Sequence, residues 1–159
     1  MTVSYHGIAV TRPPDRLCLK LPTSTMNFGV STMHRSKLSG FIIDCQTDQL
    51  EAAAEFWSQA LGMALQKLPG KEGESYVQLQ DPYHGLHIEV QRVSHESRVH
   101  LDIETDDIEA EVRRLENLGA RRVAQIQSWW VMQAPTGQRF CVVRKQEEQH
   151  FAAGSTVWE

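Results

Sequence analysis

The most constraining feature of this chain is a phrase that occurs twice. Residues 44–52 read Asp-Cys-Gln-Thr-Asp-Gln-Leu-Glu-Ala and residues 102–110 read Asp-Ile-Glu-Thr-Asp-Asp-Ile-Glu-Ala, so the copies lie 58 residues apart. A helix-capping motif alone is common, but the shared phrase with matching flanks indicates two copies of one supersecondary unit. Two such units generally form a pseudo-symmetric body, and the cleft between them is the natural place for a ligand.

The first copy has the pattern of a strand, a helix and three further strands. The apolar run Gly40–Cys45 is short enough for a buried strand. Asp48 is placed to cap the following helix, with Glu51 closing a capping box and Gly62 ending the helix. Turn residues then separate three strand-like pieces, which are Met63–Leu68, Ser75–Gln80 and Leu86–Val93.

The second copy repeats this order. Val99–Ile103 is the strand, Asp106 and Glu109 form the expected capping box, and Gly119 ends the helix. Three strand-like pieces follow, at Arg122–Ile126, Trp129–Gln133 and Arg139–Val143. We therefore predict an α+β fold of two βαβββ modules, at about 38–94 and 97–144, with sheets curling around a shared pocket and helices outside.

Composition excludes several classes of partner. The 159 residues, 41% of them apolar, suit one domain, and a net charge of −4 with scattered Lys and Arg favours neither nucleic acid nor a membrane surface. There is no apolar run of about 20 residues and no secretory signal. Three cysteines without a Cys-x-x-Cys pair favour a reduced, cytoplasmic compartment.

The two ends of the chain lack the pattern of the centre. Residues 1–34 are rich in Pro, Ser and Thr, and we predict an irregular N-terminal extension before a domain at 35–145. Residues 146–159 read as a polar C-terminal tail, compatible with a loose appendage, although the sequence leaves its docking open.

Four segments of the chain carry a family resemblance, and they are Arg98–Asp102, Arg114–Ala120, Trp129–Met132 and Pro135–Cys141. Together with the paired modules, they resemble the vicinal oxygen chelate superfamily, also called the glyoxalase/bleomycin resistance/dioxygenase superfamily. The resemblance covers about residues 38–144, and within the superfamily the chain looks most like small bacterial glyoxalase-like proteins. It implies a half-open barrel whose cup holds a divalent metal and a small molecule, and often a homodimer. The family's final turn usually reads Asp-Pro-Glu/Asp-Gly-Asn, whereas this chain has Ala-Pro-Thr-Gly-Gln at 134–138.

The resemblance also implies where metal ligands would lie, on the first and last strand of each module. His100 lies six residues before Asp106, and Ile42 lies six before Asp48. In the closing strands, Glu89 and Cys141 each lie four residues after a glycine, at 85 and 137. Because Ile42 cannot ligate, the set is incomplete. The metal candidates are His100, Glu89 and Cys141, with Gln91 as an alternative to Cys141, for one ion of Zn, Ni, Fe or Mn.

The predicted lining of the cup is polar with one indole. His100 and Asp102 lie two apart on a strand and share a face, so they could form an acid/base pair. The alternative is a structural role for Asp102, because Asp44 repeats its position. One of Trp129 and Trp130 should line the cup, and we choose Trp130; the alternative is that both pack in the core. The full predicted lining is His100, Glu89, Gln91, Trp130, Cys141 and Asp102, while His84, His87 and His95 are expected to be loop histidines.

Three classes of function remain open. The first is a protein that binds a small molecule in the cup with an incomplete metal site. The alternative is a metal-dependent lyase, isomerase or dioxygenase that uses His100 and Glu89 as ligands. The second alternative is a non-catalytic interaction protein whose cup is plugged. The residues do not decide whether the protein is an enzyme, and they assign no catalytic residue.

Overall fold

The structure, a computed structural model, describes residues 33–146 and 148–159. The predicted extension at 1–34 lies outside the described residues except for its last two, and the second of these, His34, already begins the first strand. The strands are β1 His34–Gln46, β2 Ala64–Lys67, β3 Tyr76–Gln80, β4 His87–Val93, β5 Arg98–Thr105, β6 Arg121–Ile126, β7 Trp129–Gln133, β8 Arg139–Arg144 and β9 Thr156–Trp158. The helices are α1 Leu50–Leu61, α2 Ile108–Asn117 and α3 Glu148–Gly154, with a short 3₁₀ turn at Glu72–Glu74.

The strands form one open mixed sheet, which confirms the predicted α+β class. Its order is β2-β3-β4-β1-β5-β8-β7-β6, and β9 pairs with part of β1. β1 runs parallel to β4, and β5 runs parallel to β8, whereas β1 and β5 join the modules in antiparallel fashion. The two halves of the sheet therefore have the same internal order and meet along β1 and β5.

The register between β1 and β5 carries the symmetry of the repeat. Ile42 pairs with His100, and the flanking pairs are Asp44 with Arg98 and Gly40 with Asp102. Ile42 and His100 are also separated by the repeat offset of 58 residues. Each of these two residues is therefore both the sequence equivalent and the direct neighbour of the other, which places the pseudo-twofold axis between them.

Each module has its own apolar core between its helix and its part of the sheet. In the first module, Leu50 and Ala54 of α1 pack against strand residues such as Leu79 and Val90. In the second module, Val112 and Leu115 of α2 pack against residues such as Met132. Because both helices take up the outer faces of the sheet, the other face is left free to form the cup.

The helix caps differ from the prediction by one residue. The cap of α2 is Asp107, whose carboxylate accepts a hydrogen bond from the Ala110 amide at 2.9 Å, while Asp106 accepts one from the Arg35 amide at 2.7 Å. α1 begins after Gln49, which makes no side-chain capping bond, so Asp48 is not a cap. A cap needs a short side chain whose oxygen reaches the free amides of the first turn, and here only the second copy places one at that position.

The C-terminal residues form a docked element, in contrast to the loose appendage that their polarity suggested. Phe151 of α3 is 1% exposed, and β9 pairs with the start of β1. The Trp158 indole N–H donates to Ser36 Oγ at 2.8 Å, and the Arg114 guanidinium lies 3.8 Å from the centre of the Trp158 ring. The sequence does not show this docking because it depends on two aromatic side chains in an otherwise polar segment. None of the helices described is long and apolar enough to cross a membrane.

Candidate functional site

A cavity of about 1130 Å³ lies between the two modules, in the cup of the sheet. Five of the six side chains that the sequence placed there line it: His100, Glu89, Gln91, Cys141 and Asp102. All five alternate along β4, β5 and β8 on the face opposite the helices. The strand pattern therefore brings the predicted residues together, and their roles are a separate question.

Trp130, the sixth predicted residue, does not lie in the cup. It packs against the core under α2, where its indole N–H donates to Glu109 at 2.9 Å and the Arg122 guanidinium lies 4.7 Å from its ring centre. Trp129, one residue earlier, faces the cup instead. Successive side chains of a strand point to opposite faces, so only one of two adjacent tryptophans can face the cup. The prediction chose the wrong one of the two.

Asp44 is the polar centre of one wall of the cup. Its side chain is 1% exposed, and Oδ2 accepts hydrogen bonds from His100 Nδ1 at 3.0 Å and from Arg98 Nε at 3.1 Å. His95 Nε2 lies 3.7 Å from the same oxygen. Burial alone would raise the pKa of Asp44, but the hydrogen bond and charge of His100, followed by those of Arg98, hold this pKa below its ordinary value.

This contact fixes the orientation of the His100 ring. An ionised carboxylate can only accept a hydrogen bond, so His100 Nδ1 carries the proton that Asp44 accepts. Nε2 then faces the interior of the cup, 3.6 Å from Asp102 Oδ1. The Asp44 contact crosses between the modules, and Asp44 is not among the residues that the sequence predicted for the cup.

The neighbouring strand β4 holds a second pair of titratable groups. His87 lies on β4, as the predicted strand Leu86–Val93 requires and in contrast to the loop position expected for the histidine cluster, and its Nε2 is 3.0 Å from Glu89 Oε1. The hydrogen bond to Glu89 raises the pKa of His87, and burial opposes that shift. Beside this pair, Gln91 donates to the Tyr76 hydroxyl at 2.7 Å, and burial together with the charge of Glu89 raises the pKa of Tyr76 to about 12.

A third cluster lies on the strands of the second module. Asp102 of β5 pairs with Cys141 of β8, and ligand atoms of His100, Asp102 and Cys141 all lie within 4.8 Å of one another. Burial raises the pKa of Asp102, against the opposing charges of His100 and His87. Burial and the Asp102 carboxylate raise the pKa of the Cys141 thiol to about 12. Asp102 therefore faces the cup and its polar groups, and it does not support the turn before α2.

These positions test which residues could hold the divalent metal of the resembled superfamily. Among the residues described, His100, Asp102 and Cys141 are the one group of three such donors close enough to share an ion. Ile42 offers no ligand atom, and Glu89 is not part of the group because its carboxylate faces His87. The predicted combination of His100, Glu89 and Cys141 therefore does not converge, whereas a combination with Asp102 in place of Glu89 does.

Three polar atoms of the cup lack a hydrogen-bond partner within the described parts of the chain. They are Asp44 Oδ1, Asp102 Oδ1 and Arg139 Nη1, all buried and all on residues that line the cavity. Buried polar atoms are almost always paired, because an unpaired one costs about 1–3 kcal/mol. Two acceptors and one guanidinium donor in a single cavity are therefore groups that a bound molecule, an ion or water would satisfy.

Comparison with known proteins agrees with this architecture. The chain resembles methylmalonyl-CoA epimerase from Mycobacterium tuberculosis at 19% identity, with 74% of this chain and 91% of that chain covered and a TM-score of 0.51. It also resembles a hypothetical protein from Bacillus halodurans C-125 at 12% identity, with 71% and 96% covered and a TM-score of 0.53. At these identities the likeness shows the fold alone. A glyoxalase/bleomycin resistance protein/dioxygenase superfamily member from Vibrio splendidus 12B01 matches at 16% identity and a TM-score of 0.49, with 69% and 100% covered.

At the level of sequence, no curated protein matches the chain. The family model of the glyoxalase-like domain, in contrast, matches residues 40–143, which is more than half of the chain and spans both modules. The chain therefore belongs to the glyoxalase-like domain family, as the repeated phrase and its flanking motifs predicted.

Proposed function

We propose that the protein binds a small oxygen-rich molecule in the cup between its modules. The observation that carries this proposal is the set of three unpaired buried atoms on Asp44, Asp102 and Arg139. A cavity of about 1130 Å³ is ample for a small molecule, since typical sites have roughly 300–1,000 Å³. The described residues leave this space open, which supports a binding function over an interaction protein with a plugged cup.

The unpaired atoms indicate the chemistry of the ligand. The Arg139 guanidinium can donate to a carboxylate or carbonyl oxygen, and it sits beside Cys141 on the same face of β8. The free carboxylate oxygens of Asp44 and Asp102 accept hydrogen bonds from hydroxyl or amine groups. A hydroxy acid offers both kinds of group in one molecule, so hydroxy acids are the ligand class that we infer.

Thermal unfolding in the presence of glycolate, malate, citrate and gluconate tests this proposal. At least one of the four should raise the melting temperature of the wild-type protein, because a ligand that binds only the folded state stabilises it. Arg139→Gln should abolish that rise, whereas the matched control Arg113→Gln, on the exposed face of α2, should retain it. No rise with any of the four acids, or an equal rise in both variants, would contradict the proposal.

Chemistry on the bound molecule remains an alternative to binding alone. A lyase, isomerase or dioxygenase with His100 and Glu89 as metal ligands is less supported, because Glu89 is paired with His87. The homodimer and the cytoplasmic location are also proposals. They rest on the resemblance and on the cysteine pattern, and native mass spectrometry of the full chain tests the dimer.

A further inference from the structure

A second cavity, of about 440 Å³, lies beside the cup, and we call it the side pocket. Four residues line both spaces, and they are Ser39, Gln78, His87 and Gln146. We propose that the side pocket is a second subsite of the cup and that it takes an uncharged glycosyl unit joined to the hydroxy acid. This inference rests on the proposed function, because it concerns the part of the ligand that lies beyond the acid.

The first argument is that the cup continues into the side pocket along one face of the sheet. On β5, Asp102 lines the cup, and Glu104, two residues later, lines the side pocket. The register pairs Glu104 with Val143, which lies four residues after Arg139 on β8. Four strand residues span about 13 Å, so a molecule held at Arg139 must have about that length to reach the side pocket. A hydroxy acid that carries a sugar is long enough, whereas a small acid such as glycolate is not.

The second argument is that the side pocket is built partly by residues outside the glyoxalase-like match at 40–143. Lys37 of β1 precedes this match and His150 of α3 follows it, and both line the pocket. The Lys37 ammonium donates to the His150 carbonyl at 2.8 Å, so the start of β1 and the docked α3 form this wall together. The C-terminal element therefore adds a surface that the two modules alone do not provide.

The third argument comes from charge and selects an uncharged group. Lys37 and Glu104 form an ion pair at 3.2 Å, and the Asp81 carboxylate accepts three backbone N–H groups of the turn that follows it. His87 contacts Glu89 at 3.0 Å. Among the described residues that line the side pocket, no charged side chain is therefore left without a partner. A charged ligand group would have to compete with one of these contacts, whereas an uncharged group would not.

The uncharged lining offers the hydrogen-bonding groups that suit a sugar. The side pocket contains the carboxamides of Gln78, Gln80 and Gln146 and the hydroxyl of Ser39. Gln80 donates to Gln66 at 3.0 Å, while the side chains of Gln78 and Gln146 make no hydrogen bond within the described parts of the chain. A carboxamide both donates and accepts, and so does each hydroxyl of a sugar ring, so the two can pair without an ionic contact.

Isothermal titration calorimetry of the full-length protein with gluconate and with maltobionate, which is gluconate carrying a glucosyl unit, tests this inference. The two ligands have the same acid group and the same charge, so the ratio of their affinities reports the glucosyl unit. We expect maltobionate to bind about 10-fold more tightly, as two net hydrogen bonds would give. Gln80→Ala and Gln146→Ala should each lower this ratio. The matched control Gln59→Ala, an exposed glutamine of α1 outside both cavities, should keep it.

The outcomes separate this inference from the proposed function. If gluconate binds and maltobionate binds equally or less tightly, the inference is wrong and the proposed function stands. An unchanged ratio in both side-pocket variants, or an equal fall in Gln59→Ala, would also overturn it. If neither acid binds, the inference fails as well, and the proposed function then depends on the other three acids. A fall in the ratio cannot come from a loss of folded protein, because such a loss affects both ligands alike.

Discussion

Glu111 of α2 gives the sharpest test of how the C-terminal element is held. Its side chain is fully buried, and it accepts two hydrogen bonds from Arg114 at 2.7 Å each and one from His34 at 2.8 Å. Arg114 in turn lies on the ring of Trp158, so one carboxylate connects α2 with both β1 and β9. Glu111→Gln keeps the shape of the side chain but removes its charge and its two-oxygen contact with the guanidinium.

The size of the effect follows from the burial of the carboxylate. Removing one partner of a buried ion pair costs about 3–5 kcal/mol, and we expect the lower end, about 3 kcal/mol, because Arg114 is 23% exposed and reaches water. At about 2–4 °C per kcal/mol for a chain of this size, the melting temperature should fall by about 6–12 °C. Thermal and urea unfolding followed by circular dichroism measure both quantities.

The pH dependence gives a second measurement of the same carboxylate. Burial alone would raise the pKa of Glu111, but the hydrogen bonds from Arg114 and His34 outweigh it and lower this pKa from 4.5. A carboxylate with a lowered pKa stabilises the fold above its unfolded value, and this stabilisation is lost as the pH falls through the folded value. The difference in stability between wild type and Glu111→Gln should therefore be full near pH 7 and should shrink below about pH 4.5.

The matched control is Glu116→Gln on the same helix. Glu116 pairs with Arg122 at the surface, where its side chain is 37% exposed, so the substitution should cost less than about 1 kcal/mol. Equal effects of the two substitutions at neutral pH would refute the argument that burial makes Glu111 important.

Three further predictions test other parts of the fold. Asp107→Ala should cost about 1 kcal/mol because it removes the cap of α2, whereas Asp48→Ala should change stability by less than about 0.5 kcal/mol; urea unfolding compares them. Gly40→Ala should sharply reduce the yield of folded protein, since its Cβ would lie 1.7 Å from the His87 carbonyl oxygen, and a near-normal melting temperature would contradict this. Because the Glu89 hydrogen bond raises the pKa of His87 above 6.5, this pair stabilises the fold fully below about pH 6.5 and loses its effect as the pH rises through the folded pKa. Glu89→Gln should therefore make the free energy of unfolding less dependent on pH above that value. An unchanged dependence would contradict the stabilising role of the His87–Glu89 pair.

The repeated phrase predicted most of the fold because it carries both the order of the elements and their symmetry. When the two copies pair in antiparallel fashion, one pair of repeat-equivalent residues lies at the axis, and the structure shows that this pair is Ile42 and His100. The caps were misplaced by one residue because two adjacent residues, Asp106 and Asp107, are both good capping side chains. Local propensity does not choose between them, and the contact of Asp106 with the Arg35 amide, which comes from β1, does.

The site was predicted less completely because its contacts join residues that are far apart in the sequence. Strand alternation identified His100, Asp102 and Cys141 as members of one face, but it could not tell whether Trp129 or Trp130 shares the cup. His87 lies inside the predicted strand Leu86–Val93, but it was grouped with the loop histidines because two other histidines lie near it in the sequence. The sequence did contain a signal that Asp44 lines the cup. Asp44 lies two residues after Ile42, so both side chains are on the same face of β1.

The symmetry also explains why a duplicated chain can carry an asymmetric site. The two copies share an aspartate, at Asp44 and Asp102, and the register places these aspartates on either side of the position where Ile42 meets His100. One copy supplies an imidazole at the axis and the other supplies an isoleucine, so a single ring lies between two equivalent carboxylates. Asp44 contacts Nδ1 and Asp102 faces Nε2, and the two carboxylates therefore act on opposite nitrogens of the same histidine. The difference between Ile42 and His100 is thus enough to give the two equivalent aspartates different roles. Asp44 orients the His100 ring, and Asp102 faces the open cup.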